Sequence, residues 1–290
     1  MGMREEKKFV ISLLIPSLFF LSFVEFAPLG YAAFYSLTDR LIFSTEFNLI
    51  GAENYLRFLG SERFVTIVLN AFEYGLTSAI LQTLIGLGFA LLLYNTSGKL
   101  ATSMKCVLFL PYAIPYISVS LLWKFLLDPV YGPVNKWIVY LGLSKGPILF
   151  FSYPNTAMPV CIFITTWMFF PFAMIIFYAA LKTVPRDQVE AARIDGAAST
   201  QVFRFVTWPW IKRIFYITLF LRFLFNFGKF DLIWLLTQGG PIGATEIFPI
   251  VTWLTAFWEY RYGEACAIAI VTLWVQIIPL LLFIYVTRKE

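Results

Sequence analysis

The sequence holds no histidine and only three cysteines among its 290 residues. Without histidine it lacks the commonest metal ligand and the side chain best suited to acid–base work near neutral pH. Cys106, Cys161 and Cys266 are scattered and form no C-x-x-C pair. An odd count argues against a disulfide framework. All three lie in or beside apolar runs, where a thiol packs as a small hydrophobe. Charge is scarce too: 13% of residues are Asp, Glu, Lys or Arg, against roughly 25% in an ordinary soluble domain. No Walker A motif, metal-binding spacing or nucleophile–base pairing is present, so no catalytic and no metal residues are expected. What fills the chain is apolar. Hydrophobic residues make up 60% and aromatics 19%, and the mean hydropathy is +0.77. A soluble fold of this length could not hide so much apolar surface, and disordered chains are polar and charge-rich. The composition predicts a polytopic membrane protein whose surplus is solvated by lipid, and the long apolar runs described next make it all-α.

A spanning helix needs about 20 mostly apolar residues. Six segments qualify: 9–37, 64–94, 106–127, 157–181, 214–236 and 265–286. The first two are long enough to tilt. The first contains Pro16, Glu25 and Pro28, which predicts a kink or break near its outer end. Its apolar stretch is too long for a signal peptide. Basic residues set the expected orientation. Thirteen (Arg4, Lys7, Lys8, Lys99, Lys105, Lys182, Arg186, Arg193, Arg204, Lys212, Arg213, Arg288 and Lys289) fall on one side. Six (Arg40, Arg57, Arg63, Lys136, Lys145 and Arg261) fall on the other. The positive-inside rule then places both termini in the cytoplasm. The net charge of +5 is a topology signal, and no nucleic-acid partner is expected. The outer loops, near 38–63, 128–156 and 237–264, carry Gly, Pro and aromatics and are expected to fold back onto the bundle.

The cytoplasmic loop at 184–209 does not look like a linker. It reads as two short helices with a bend at Gly196. Pro185 and Asp187 suit a helix start. Gln188, Glu190, Ala191, Ala192 and Arg193 are good helix formers. Ser199 or Thr200 can cap a second helix carrying Val202, Phe203 and Val206 on one stripe. Pro209 stands just before the next span. Small residues permit a partner to approach closely, and Glu190, Arg193 and Asp195 can fix its register. A lipid-surface helix or a simple cover for the bundle are the plainer readings of such an element.

The string Glu-Ala-Ala-Arg-Ile-Asp-Gly-Ala at 190–197, followed by Val206-x-Trp208-Pro209, resembles the EAA loop of permease subunits of binding-protein-dependent ABC importers. Trp208 stands where that family usually has Leu. Leu110-Pro-Tyr-Ala-Ile-Pro-Tyr with Trp123, and Gly132-Pro-Val-Asn135, are similar to the third span and outer loop of its sugar-type members. Phe230-Asp-Leu-Ile-Trp-Leu-Leu-Thr-Gln-Gly-Gly-Pro241 is similar to their Gly-Gly-Pro signature. Together these features resemble the maltose-permease-like first subunit of importers for oligosaccharides, polyols and glycerol phosphates. The larger outer domain of some members is missing.

The resemblance implies the type I ABC importer permease fold in a bacterial or archaeal cell membrane. It implies a second homologous permease, two cytoplasmic ATP-binding subunits and an extracytoplasmic solute-binding protein. ATP and Mg would be held by the partners, with no cofactor on this chain. Coupling would rest on Glu190, Ala191, Ala192, Asp195 and Gly196. By resemblance, Thr165, Met168, Phe169 and Phe172 fall on the sugar-binding face of span four, and Phe225, Asn226 and Lys229 on the matching face of span five. Their helical spacing agrees. Lys229 stands where the family more often has a neutral polar residue, which would suit an acidic substrate. Of the other charged residues in spans, Glu25 and Lys124 are expected to snorkel, while Glu73 and Arg222 could be structural or path-lining. The alternatives are a permease for a non-sugar solute, a stand-alone secondary carrier, which typically shows repeats and acid–base relays, or a membrane-embedded enzyme.

Overall fold

A computed structural model describes residues 3–287, of which 3–8, 282 and 284–287 are described by backbone alone. Arg288 and Lys289 lie outside the described residues. The described chain is helical, with one isolated bridge between Thr38 and Leu49. The helices are α1 (Met3–Tyr35), α2 (Glu53–Leu59), α3 (Glu62–Tyr94), α4 (Gly98–Ala113), α5 (Tyr116–Leu126), α6 (Pro133–Tyr140) and α7 (Pro154–Leu181). They continue as α8 (Arg186–Ile194), α9 (Ser199–Val202), α10 (Trp208–Phe227), α11 (Asp231–Thr237), α12 (Phe248–Trp253) and α13 (Tyr262–Thr287). A π-helical turn, Phe203–Thr207, joins α9 to α10, and another, Leu254–Trp258, follows α12.

Among the described residues four helices, α1, α3, α7 and α13, are long and apolar enough to cross a membrane. The third expected span is not one helix. It divides into α4 and α5, bent by 95°. Proline clashes with a helical conformation of the residue before it, and Ile114, preceding Pro115, adopts an extended ψ of 134°. The fifth expected span is shared between α10 and α11. Helix α10 carries three basic residues, Lys212, Arg213 and Arg222. Of the kink or break expected in the first span, no break is present: α1 runs continuously through both Pro16 and Pro28.

The chain divides into two units. In the first, residues 1–65 with 251–284, the segment after α1 is tied down by its own backbone. Asn54 is buried and donates from Nδ2 to the carbonyls of Ser36 (2.9 Å) and Thr38 (2.8 Å). The start of α13 meets the same segment. A Cβ on Gly263 would lie 2.1 Å from the Thr38 carbonyl oxygen, so only glycine fits. An ion-pair network links α2, the head of α3 and the start of α13. Arg63 pairs with Glu259 at 3.0 Å, Arg261 with Glu259, and both Arg261 (2.5 Å) and Arg57 (3.5 Å) with Glu264.

The second unit, residues 66–250 with 285–290, carries the packed helices. Leu87, Ala90 and Leu93 of α3 meet Phe170, Ala173, Met174, Phe177 and Leu181 of α7 in a buried cluster. The two helices touch backbone to backbone at Gly86, where an added Cβ would sit 2.6 Å from the Ala173 Cβ and 2.8 Å from the Met174 nitrogen. The Gly132–Asn135 motif has a structural reason. A Cβ on Gly132 would collide with the backbone of Asp128 and Leu126. Asn135 is buried and donates to the Leu127 (2.8 Å) and Ile148 (3.1 Å) carbonyls while accepting from the Ile148 N–H (2.8 Å). One amide thus holds the loop from α5 to α7 closed on itself.

Candidate functional site

Two places in the second unit concentrate chemistry: a polar cluster among α3, α7 and α10, and the loop from α7 to α10.

In the cluster, apolar helices present a few polar groups to one another because lipid offers them no partner. Arg222, on α10, is 4% exposed. Its Nε donates to Gln82 Oε1 on α3 at 2.6 Å, and its Nη2 to Asn226 Oδ1, one turn on, at 3.3 Å. Asn226 Nδ2 also donates to Gln82 Oε1, at 3.2 Å. Gln82 Nε2 donates to the Thr165 carbonyl of α7 at 3.3 Å, and the Thr165 hydroxyl pairs with Tyr74 of α3 at 2.8 Å. Three helices are joined by one hydrogen-bonded chain.

An aromatic wall flanks it. The Arg222 guanidinium lies 4.9 Å from the Phe169 ring centre and 5.5 Å from that of Phe172. Lys229 Nζ lies 4.0 Å from the Phe169 ring centre and 3.0 Å from the Tyr116 hydroxyl. Tyr112 stacks on Phe172 at 6.2 Å, and Tyr116 lies 5.9 Å from Phe169. The bend at Pro115 places Tyr112 at the end of α4 and Tyr116 at the start of α5 against the same face of α7. Two cations therefore share one ring and stand at most about 9 Å apart. At an effective dielectric of about 20 they repel by roughly 2 kcal/mol. Neither makes an ion pair with a described carboxylate.

Thr165, Phe169, Phe172, Asn226 and Lys229 thus come together, joined by Arg222. Met168 is buried but forms no described contact with the cluster. Phe225 does not join: it is 58% exposed, while its neighbour Asn226 is fully buried. The spacing of 222, 225, 226 and 229 does not run along one helix. Helix α10 ends at Phe227, and Lys229 reaches Phe169 from a turn closed by its N–H on the Asn226 carbonyl (3.0 Å). Gln82 and Tyr74 are new to the cluster, while Tyr112 and Tyr116 belong to the 110–116 motif, to which the sequence assigns no role at the site. Gln82 carried a signal, as an amide inside a 33-residue apolar helix. Glu73 lies elsewhere, exposed on a groove of about 1060 Å³ that Leu81, Phe163, Trp167 and Phe170 also line. Apart from Glu73 itself, none of the expected path residues borders that apolar groove.

The loop from α7 to α10 holds α8, which is anchored on one side and exposed on the other, and α9, which runs on into α10. Helix α8 ends in a Schellman arrangement: the Ala197 N–H bonds the Ala192 carbonyl (3.0 Å), and the Gly196 N–H bonds the Arg193 carbonyl (3.1 Å). This needs a left-handed residue, and Gly196 has φ +83°. Val189 packs against the α3–α7 cluster, and Gln188 Oε1 accepts from Trp210 Nε1 at 3.1 Å. Glu190, Ala191, Asp195 and Gly196 face outward, and Ala192 is half-buried. Ile194 is 85% exposed, an apolar side chain held out beside charged neighbours. The expected second helix is not separate. Helix α9 passes through the π turn directly into α10. Neither Ser199 nor Thr200 caps it. The Gln201 side chain reaches back to accept the Ala198 N–H at 2.7 Å. Trp208 fills its position by packing between Phe203 (6.2 Å) and Phe215 (5.2 Å).

Residues 82–288 match the family model described as binding-protein-dependent transport system inner membrane component. A probable ABC transporter permease of Pyrococcus horikoshii is 32% identical over 197 residues, 68% of each chain. The trehalose/maltose transport system permease MalF of Thermococcus litoralis is 32% identical over 240 residues, 82% of this chain and 79% of that one. Among solved structures, a chain of a bacterial ABC transporter involved in the import of the acidic polysaccharide alginate superposes with a TM-score of 0.84 at 20% identity, covering 98% of this chain and 96% of that one. A chain of the MetNI methionine ABC transporter gives 0.57 at 18% identity, covering 78% and 94%. The fold is that of type I ABC importer permeases. The chain belongs to the family of binding-protein-dependent transport system inner membrane components, as a multi-pass, non-catalytic permease subunit of an ABC importer.

Proposed function

We propose that this permease translocates a carbohydrate: an oligosaccharide, a polyol or a sugar-phosphate-like solute. The observation that carries the reading is the cluster around Phe169, where aromatic rings, a threonine hydroxyl, two amides and two cations converge at membrane depth. Sugar C–H faces stack on rings, and sugar hydroxyls need donors and acceptors. Thr165, Phe169, Phe172, Asn226 and Lys229 would line the path, with Met168 behind them. The name of the Thermococcus relative supports the substrate class.

In this reading an extracytoplasmic binding protein delivers the solute, a second homologous permease completes the path, and two cytoplasmic subunits hydrolyse ATP. ATP and Mg belong to those subunits, and this chain holds no cofactor. Both termini and the α8 loop face the cytoplasm of a bacterial or archaeal cell. Helix α8 seats in the ATP-binding subunit through Glu190, Ala191, Ala192 and Asp195, and Gly196 sets its angle. The direct passage of α9 through the π turn into α10 gives a short mechanical route from that seat to Arg222 and Asn226.

The test is uptake by the complete transporter in proteoliposomes, with carbohydrates and amino acids offered in parallel. ATP-dependent uptake of a carbohydrate is expected. Uptake confined to amino acids overturns the substrate class.

A further inference from the structure

We propose that Arg222 and Lys229 form an anion subsite in the path, so that the transported carbohydrate carries an oxyanion, a carboxylate or a phosphate. This rests on the carbohydrate reading above and narrows it.

Three observations converge. Both cations lean on one ring, within 4.0 and 4.9 Å of the Phe169 centre. Neither makes an ion pair with a carboxylate among the described residues. Arg222 bonds the amide oxygens of Gln82 and Asn226, Lys229 bonds the Tyr116 hydroxyl, and the nearby Asp231 is exposed and makes no described ion pair. Charged groups within membrane-spanning helices are costly and rare, so two of them without an ion-pair partner are kept for a reason.

A packing role for these cations would call for an acid on a facing helix. The structure instead supplies uncharged acceptors and ring faces. These hold a cation in place without neutralising it. A neutral hexose would have to displace a cation from Phe169 in order to stack on it. An anionic sugar gains partners instead: the guanidinium offers a planar fork and the ammonium a compact charge, the two groups best suited to oxyanions. Two like charges at this spacing also relieve their mutual repulsion when an anion lies between them.

The experiment uses the complete transporter, with its partner subunits and binding protein, in proteoliposomes. The probes are trigalacturonate, glycerol 3-phosphate and maltotriose. The same binding protein serves every variant, so a change in selectivity between variants belongs to this chain. Wild type is expected to import one of the two anionic probes in preference to maltotriose, and which one tells carboxylate from phosphate. Lys229→Gln is expected to cut the anionic-to-neutral uptake ratio by about tenfold or more, and Lys229→Arg to keep most of it. Arg222→Gln should act in the same direction. Because Arg222 is buried and that variant can fail to fold, the Lys229 pair carries the decision. Import of maltotriose with neither anion overturns the subsite and leaves the carbohydrate reading standing. An unchanged ratio in Lys229→Gln also overturns it. Import of none of the three, with uptake of an amino acid instead, overturns both.

Discussion

Gly196 is the position at which a single change should separate ATP hydrolysis from transport. Its φ of +83° closes the Schellman turn that ends α8 and fixes the direction in which the exposed face of that helix points. A Cβ there meets nothing within 4 Å, so the effect of substitution is purely conformational. For Gly196→Ala the left-handed backbone costs about 1–2 kcal/mol, a factor of roughly 5–30 in the population of the native turn. Gly196→Pro is more severe. Proline is locked near φ −65° and has no N–H, so both the turn and the bond to the Arg193 carbonyl are lost, at about 3 kcal/mol or more. The glycine is exposed and no other side chain packs on it, so the helices of the second unit should keep their fold. The assay is ATP hydrolysis and solute uptake by the same proteoliposome preparation, with thermal melting as the folding control. Gly196→Ala should lower uptake several-fold, and Gly196→Pro should abolish substrate-stimulated hydrolysis, both without a shift in melting. Normal substrate-stimulated ATPase in a folded Gly196→Pro transporter would refute the lever role of this turn.

Ile194→Asp should weaken retention of the ATP-binding subunits during purification while the permease itself melts normally, because the side chain is exposed and packs on nothing described. Gln82→Leu removes the acceptor shared by Arg222 and Asn226 and should destabilise the permease by about 1.5–3 kcal/mol, read as a lower melting temperature in detergent. Gly86→Val forces α3 off Ala173 and Met174, and should cost at least about 1–3 kcal/mol and reduce folded yield, measured by monodisperse recovery. Glu259 has a pH signature. Burial pulls its carboxyl up, but hydrogen bonds and charge from Arg261 and Arg63 outweigh that and hold it below the ordinary 4.5. Its stabilisation is therefore present at neutral pH and lost as pH falls through the lowered folded value. Melting between pH 6 and pH 3 should fall less steeply in Glu259→Gln than in wild type.

The α8 turn was legible because its signals are local. A polar stretch of strong helix formers followed by glycine leaves few conformations, and Gly196 takes the left-handed one. The long spans were legible from hydropathy, since α3 and α7 have the length a bilayer demands. The division of 106–127 at Ile114 was written in Pro115, but apolarity on both sides of the proline masked it. Phe225 and Asn226 could not be told apart in the sequence, because an apolar helix carries no amphipathic contrast to choose among its faces, and only packing shows that Asn226 turns inward while Phe225 does not. Lys229 reached the expected neighbours by a route that spacing could not give, since the helix had already ended. The pairing of Gln82 with Arg222 spans 140 residues, and no periodicity encodes a partner at that distance. The capping expectation at Ser199 failed because the helix starts one residue earlier, with Ala198 at the cap position and its N–H held by the Gln201 side chain.

The most direct test of the central claim is purification of the tagged chain from its native membrane in mild detergent, followed by subunit counting and reconstitution. One copy of this chain should emerge with one second permease and two ATP-binding subunits, and solute uptake should require ATP and the binding protein. A chain that purifies alone and transports its solute without ATP would contradict that claim.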